Sequence, residues 1–257
     1  MHLTRRGFAL AEALVAVILT TLLLVAALGS LTALQRALGR QVARTTRAQT
    51  LRAAVQLGVA ELQDLAPPAG DLVALSANGL IYRAVRATGL ACGRGAEGLQ
   101  VRSSSFRALR TPSPGRDSVA VLVRPDAWVV VGLEADPRTG SCPDGASALT
   151  LPVPWLAPDP LAGLTWPAPT MITEVMELRA YQSGGEWWLG QRSVSSGEVI
   201  QPALGPLAAG GFTTRPLDSL GGSTGSLPDV RQLILVFRLA NGDSVTRSLS
   251  FSPGGWP

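Results

Sequence analysis

A single carboxylate, Glu12, opens a stretch in which residues 13–35 carry no charge, and Arg5, Arg6, Gly7 and Phe8 stand just before it. An ionised side chain costs roughly 2.5–3.5 kcal/mol at a bilayer centre and less near its surface, so an acid at the mouth of such a run calls for a partner. Other reactive groups are few. His2 is the only histidine of the 257-residue chain, so a Ser-His-Asp triad has one candidate base, at the extreme N-terminus. Residues 221–225 (Gly-Gly-Ser-Thr-Gly) look faintly like a phosphate cradle, but no lysine comes after them and no helical pattern begins there; they read as a loose turn. Asp126, Glu134, Asp136 and Asp144 could offer oxygens to calcium, yet their spacing fits no calcium loop and a solvated acidic rim is the expectation. Trp155, Trp166, Trp187 and Trp188 are candidates for a contact surface; the adjacent pair must face opposite sides of a strand, placing at least one of them in the core. No catalytic residue, cofactor or metal is expected.

Positioning Glu12 falls to the apolar run beside it. The uncharged residues 13–35 make about 34 Å of helix at about 1.5 Å per residue, enough to cross the hydrocarbon core of a membrane. Arg5 and Arg6 precede the span, so the positive-inside rule keeps the N-terminus cytoplasmic and sends the residues beyond Gln35 outward. Three readings compete. A secretory signal has a shorter apolar region and a small-residue cleavage site, which residues 26–30 could supply, but this span is long and Glu12 lies close against it. A twin-arginine export signal fits Thr4-Arg5-Arg6-Gly7-Phe8 loosely, but such signals are normally only moderately apolar. The third reading cuts after Gly7, making Phe8 the new N-terminus and Glu12 the fifth mature residue.

The run Arg5-Arg6-Gly7-Phe8-Ala9-Leu10-Ala11-Glu12 followed by an apolar helix resembles the leader of type IV pilins and type II secretion pseudopilins. The resemblance implies that a membrane-embedded prepilin peptidase cuts between Gly7 and Phe8. It implies also that the amino group of Phe8 is methylated and that Glu12 docks the subunit into a filament of other pilin or pseudopilin subunits. Two departures stand out: Ala9 and Ala11 occupy places where threonine and a bulkier residue are commoner, and Gly29 stands where many major pilins carry proline. The physics fits the role, because pairing Glu12 with a neighbour's N-terminal ammonium neutralises two charges that low dielectric penalises.

Charge is unevenly spread. All 22 basic residues are arginine, and the formal net charge is +4. Residues 61–257 hold more acids than arginines, so the positive excess lies in the N-terminal third and the head gives no sign of nucleic-acid binding. Cys92 and Cys142 both fall on the side expected to be exported, where a pair is most simply a disulfide.

Beyond the span the helical pattern continues. Leu34, Leu38 and Val42, then Leu51, Val55, Val59, Leu62 and Leu65, recur at three- and four-residue steps. Arg36, Arg40, Arg44 and Arg47 form a separate stripe, read either as a solvated face near lipid headgroups or as a contact for acidic neighbours. Pro67 and Pro68 end the helix. The remainder predicts hairpins over 72–76 with 80–86 around Asn78-Gly79, 118–124 with 128–134 around Pro125-Asp126, 173–182 with 186–193, and 230–239 with 244–251. The strand at 230–239 looks apolar on both faces. Residues 152–170, with their six prolines, and 205–226 read as irregular.

The expectation is an α+β protein with a leader at 1–7 and a long helix at 8–66, membrane-embedded over 8–35 and amphipathic over 36–66. A linker at 67–71 leads to an antiparallel β-rich head at 72–257, a pilin-like layout. The expected function is that of a minor pilin or J-like pseudopilin, held in inner-membrane lipid as a single-pass precursor with its head in the periplasm. The alternative is a tethered or exported β-rich binding domain behind an ordinary signal.

Overall fold

The computed structural model describes residues 5–124, 127–154, 161 and 164–251, with side chains from residue 11 onward. One helix, α1 (Arg5–Leu62), is followed by strands only, apart from two short 3-10 turns. The strands are β1 (Leu72–Ser76), β2 (Gly79–Gly95), β3 (Gly98–Arg102), β4 (Arg107–Ala108), β5 (Asp117–Arg124), β6 (Ala127–Gly132) and β7 (Arg138–Ser141). They continue with β8 (Ser147–Leu151), β9 (Ala168–Ser183), β10 (Glu186–Ser193), β11 (Gln201–Leu217), β12 (Gln232–Leu239) and β13 (Ser244–Ser250). Every pairing among the described strands is antiparallel, in the order β13-β12-β11-β10-β9-β2-β3-β8-β7, with β1 and β4 on β2 and the β5–β6 hairpin on β9. The chain is therefore α+β, a long apolar helix followed by an antiparallel sheet. It divides into two compact units, Met1–Gln49 and Thr50–Pro257.

Among the described residues the first unit is helix alone. Leu14, Leu19, Leu23 and Val25 are all more than half exposed, and α1 is the one described helix long and apolar enough to cross a membrane. Its hydroxyls turn inward on the backbone: Thr20 donates to the Ala16 carbonyl at 2.8 Å, Thr21 to Ile18 at 2.8 Å, Ser30 to Ala26 at 2.9 Å and Thr32 to Gly29 at 2.9 Å. Each polar group is thereby satisfied without water, which a lipid-facing helix requires.

In the second unit the last helical turns lie on the sheet. The seam runs along Ala54, Gly58 and Leu62, all buried, with Leu51, Val55 and Val59 only half covered. A Cβ on Gly58 would sit 3.2 Å from Leu235 Cδ1 and 3.3 Å from Phe237 Cζ, so the glycine admits the closest approach. The leucine and valine periodicity marks the right side of the helix but not its deepest line, because small residues carry no hydropathy signal. The helix stops at Leu62, a turn before the predicted end. Four residues of turn and irregular chain (63–66) and a 3-10 turn at Pro67–Ala69 come after it, closed by Gly70 at φ +84°. Asp71 is buried and accepts a hydrogen bond from the Ala66 N–H at 2.9 Å.

Two apolar clusters fill the head. One gathers the helix seam with β1, β9, β10, β12 and Phe212, and contains Tyr82, Leu178, Leu233, Leu235 and Phe237. The other has no helix; it packs Leu99, Val101, Val119, Leu151 and Ile172 beneath β5 and β6. The long strands β2 and β9 run through both, paired from Gly79↔Arg179 to Ala91↔Ala168.

Three strand expectations are corrected. The segment 205–226, expected to be irregular, contains most of β11; Gly210 at φ +62° and the register jump between Leu207 and Phe212 break the strand into one part on β10 and another on β12. Glycine and proline there mark a bulge and not a loop. β12 is buried on one face only: Leu233, Leu235, Phe237 and Leu239 point inward while Ile234 and Val236 are half exposed. In the β1–β2 hairpin the turn is Ala77-Asn78, and Gly79 is the first strand residue, its missing Cβ making room for Arg179 Cβ at 2.6 Å. The pattern of the sequence does not announce β3, β4, β7 and β8. The residue pair 125–126 and Trp155 lie outside the described residues, as do much of 152–170 and the first four residues of the expected leader.

Candidate functional site

Glu12 sits near the start of α1, exposed, and is the only acid in the first compact unit. Gly7 and Phe8 belong to the same helix, within the turn and a half before Glu12. The four hydroxyls of the apolar stretch are all bonded to their own backbone, whereas no hydrogen bond or ion pair reaches Glu12 among the described residues. The apolar stretch thus satisfies its hydroxyls internally, and the acid at its mouth has no partner among the described residues.

Cys92 at the far part of β2 and Cys142 just after β7 form a disulfide with Cα atoms 5.6 Å apart. Closing a loop of separation 50 stabilises the head by roughly 4 kcal/mol in the chain-entropy model. Ala146 and Ala148 pack against the sulfurs. The bridge ties β2, near the middle of the sheet order, to the β7–β8 edge.

The most concentrated polar group in the head is one that the sequence does not point to. Glu174 on β9 is buried and takes hydrogen bonds from Arg86 at 2.8 Å, Arg110 at 3.1 Å and Arg116 at 2.5 Å. Arg110 also forks onto Asp117 with two contacts of 2.7 Å, and Arg116 reaches Glu198 at 2.9 Å. Burial pushes Glu174 up, but the bonds from Arg86, Ser193, Arg110 and Arg116 outweigh it and hold the carboxyl at about 2. Arg86 also faces Glu61 of α1 at 3.5 Å, and Tyr82 donates to the same Glu61 at 3.1 Å while accepting from Gln191 at 3.2 Å. This chain of contacts joins helix, β2, β5, β9 and β10. All its charges are answered within it, so it holds elements together and offers no group for chemistry. The sequence signal that could have found it is weak: Glu174 and Glu177 interrupt an otherwise apolar strand.

The other candidates behave as turns and rims. Asp218 accepts from the N–H groups of Leu220 at 2.8 Å and Gly222 at 2.9 Å, which makes the glycine-rich segment a local turn. Asp144 pairs with Arg102 at 2.5 Å, Glu134 and Asp136 are exposed, and Asp126 lies outside the described residues. Among the described residues no three His, Cys, Asp or Glu side chains converge on a common point. Trp187 packs on the helix-side core and Trp166 on the other, while Trp188 lies against Gly205. An open groove of about 480 Å³ between β1 and the 224–227 segment is lined by Val73, Leu75, Thr214, Pro216 and Leu227 and holds no titratable side chain.

The chain matches no family model, no curated protein and no solved structure.

Proposed function

We propose that this chain is a minor pilin-like or pseudopilin subunit, cut by a prepilin peptidase between Gly7 and Phe8, methylated on Phe8, and assembled through Glu12. The observation that carries the reading is the Glu12 carboxylate, without a partner among the described residues, at the mouth of an apolar stretch whose four hydroxyls are internally bonded. After cleavage the new ammonium lies one helical turn from Glu12. A neighbouring subunit offset along the filament presents its own ammonium to that acid, removing two charges from a low-dielectric setting and setting the helix register.

Export of the head is supported by the cysteines and not by the flanks. Arg36, Arg40, Arg44, Arg47 and Arg52 outnumber Arg5 and Arg6, so a plain count of flanking arginines opposes the proposed orientation. The Cys92–Cys142 bridge belongs in an oxidising compartment, which supports a periplasmic head. The work of the molecule in this reading is assembly.

Glu12→Val leaves membrane insertion and cleavage intact but blocks incorporation into filaments, read by shearing filaments from cells and blotting for the head. Normal incorporation of that variant removes the docking role from Glu12. Gly7→Ala leaves a precursor that keeps its first seven residues, read by intact mass; equal masses for wild type and variant misplace the cleavage site. A chain that starts between residues 28 and 30 instead belongs to the tethered or exported binding-domain reading.

A further inference from the structure

We infer that the Arg36–Arg47 face of α1 docks against an acidic helix of a different protein, alongside the membrane exit of the span. The inference rests on the assembly reading above for the partner being a helix anchored in the same membrane. Arg36, Arg40, Arg44 and Arg47 recur at steps of four, four and three, which confines them to one side of the helix, and all four are exposed. No carboxylate pairs with them among the described residues; the Arg40 guanidinium turns back to the Arg36 carbonyl at 3.3 Å. Each of the last three arginines comes directly after a small residue, namely Gly39, Ala43 and Thr46. Nothing lies within 4 Å of where a Cβ on Gly39 would be, so a second backbone can come close beside the charges.

Charge selects the occupant. A second copy lying parallel along the helix is not the occupant, because residues 13–60 contain no acid and the two helices would set arginine against arginine. Lipid phosphates account for only part of the face. The headgroup layer adds about 5–7 Å on each side of the hydrocarbon core, whereas Arg36 to Arg47 covers about 16 Å of helix axis. Arg36 and Arg40 fit that layer; Arg44 and Arg47 stand clear of it. A helix with Asp or Glu at the same four-four-three spacing, beginning where its own apolar span ends, answers all four. Such a partner also offsets four of the five arginines that the proposed export carries outward against the flank rule.

The test uses the full chain in phosphatidylcholine vesicles, labelled on the head, with three synthetic transmembrane peptides as energy-transfer partners. Beyond an identical apolar span the peptides carry Glu, Gln or Arg at the four-four-three positions. The Glu peptide is expected to associate about tenfold more tightly than the Gln peptide, from four exposed pairs acting together, and the Arg peptide more weakly still. The advantage disappears at about 0.5 M salt and in the triple variant Arg40→Gln, Arg44→Gln, Arg47→Gln. Equal association of the Glu and Gln peptides overturns the inference, as does self-association of the chain as tight as its binding to the Glu peptide. Loss of the advantage in phosphatidylglycerol vesicles assigns the face to lipid and overturns it as well. The start of the mature chain at Phe8 is a separate readout, so docking can fail while the processing reading stands, or the reverse.

Discussion

Along α1 the residues before Thr50 and those after it obey opposite rules. Leu23 is 69 % exposed in a run of bulky side chains, whereas the seam of Ala54, Gly58 and Leu62 is sealed against β12. Lipid accepts any apolar shape, so a span can be all leucine and valine; a folded sheet demands a fitted surface, and two of the three seam residues are the smallest available. Apolarity thus marks both regions, and side-chain size separates them. Polar groups divide in the same way. In the span the hydroxyls bond to their own backbone and Glu12 has no partner among the described residues, whereas at the sheet Glu61 bonds across to Tyr82 and Arg86.

All six tryptophans lie in the head, at or beyond Trp128, so urea unfolding of the full chain in detergent, monitored by tryptophan fluorescence, reports on the head. The largest loss is expected from Glu174→Ala, which strands Arg86, Arg110 and Arg116 around an empty position. The cost is about 3–5 kcal/mol, and a value under about 1 would show the cluster to be dispensable. Leu62→Ala should cost about 2–5 kcal/mol, while Leu23→Ala should leave the head unchanged. Equal effects of these two would erase the distinction between the two stretches of helix. Gly58→Val drives a branched side chain toward Leu235 and Phe237 and should cost about 1–3 kcal/mol; a neutral result would mean that the seam has slack.

The remaining effect is a slope with pH. Burial pushes the Asp71 carboxyl up to about 7, against the opposing pull of the Ala66 N–H and the Arg83 charge. The folded state therefore holds this proton more tightly than the unfolded chain, whose value is near 3.8. Stability from this group is fully present below that lower value and is lost as pH rises through about 7. Glu174, held at about 2, has the opposite sign and stays ionised across that window; its contribution falls below about pH 4.5 and is lost as pH drops through about 2. Asp71→Asn, which keeps an acceptor for Ala66, should flatten the head's stability between about pH 4 and pH 7, and an unchanged slope would assign it to another group.

The regions also differ in how readable they are. The span, the hairpins at 118–132, 173–193 and 232–250 and the Cys92–Cys142 pair are legible because charge absence, alternation with turn glycines and cysteine count are local signals. β11 is not, since its glycines and prolines serve a bulge that only the offset between β10 and β12 explains. The short strands β3, β7 and β8 draw their stability from pairing with distant residues, as Leu99↔Leu151 shows, and carry little pattern of their own. The Glu174 cluster combines Arg86, Arg110 and Arg116 from widely separated positions, a convergence invisible in one dimension. Gly7, Phe8 and Glu12 stand together in sequence and on one helix, so their order is legible, while the chemistry proposed for them involves groups outside the chain.

The most direct measurement is the N-terminal residue of the chain purified from its native membrane. N-methylphenylalanine at Phe8 is the predicted result. A chain that still begins at Met1, or that begins elsewhere with an unmodified amine, contradicts the assembly role and leaves Glu12 without its counterpart.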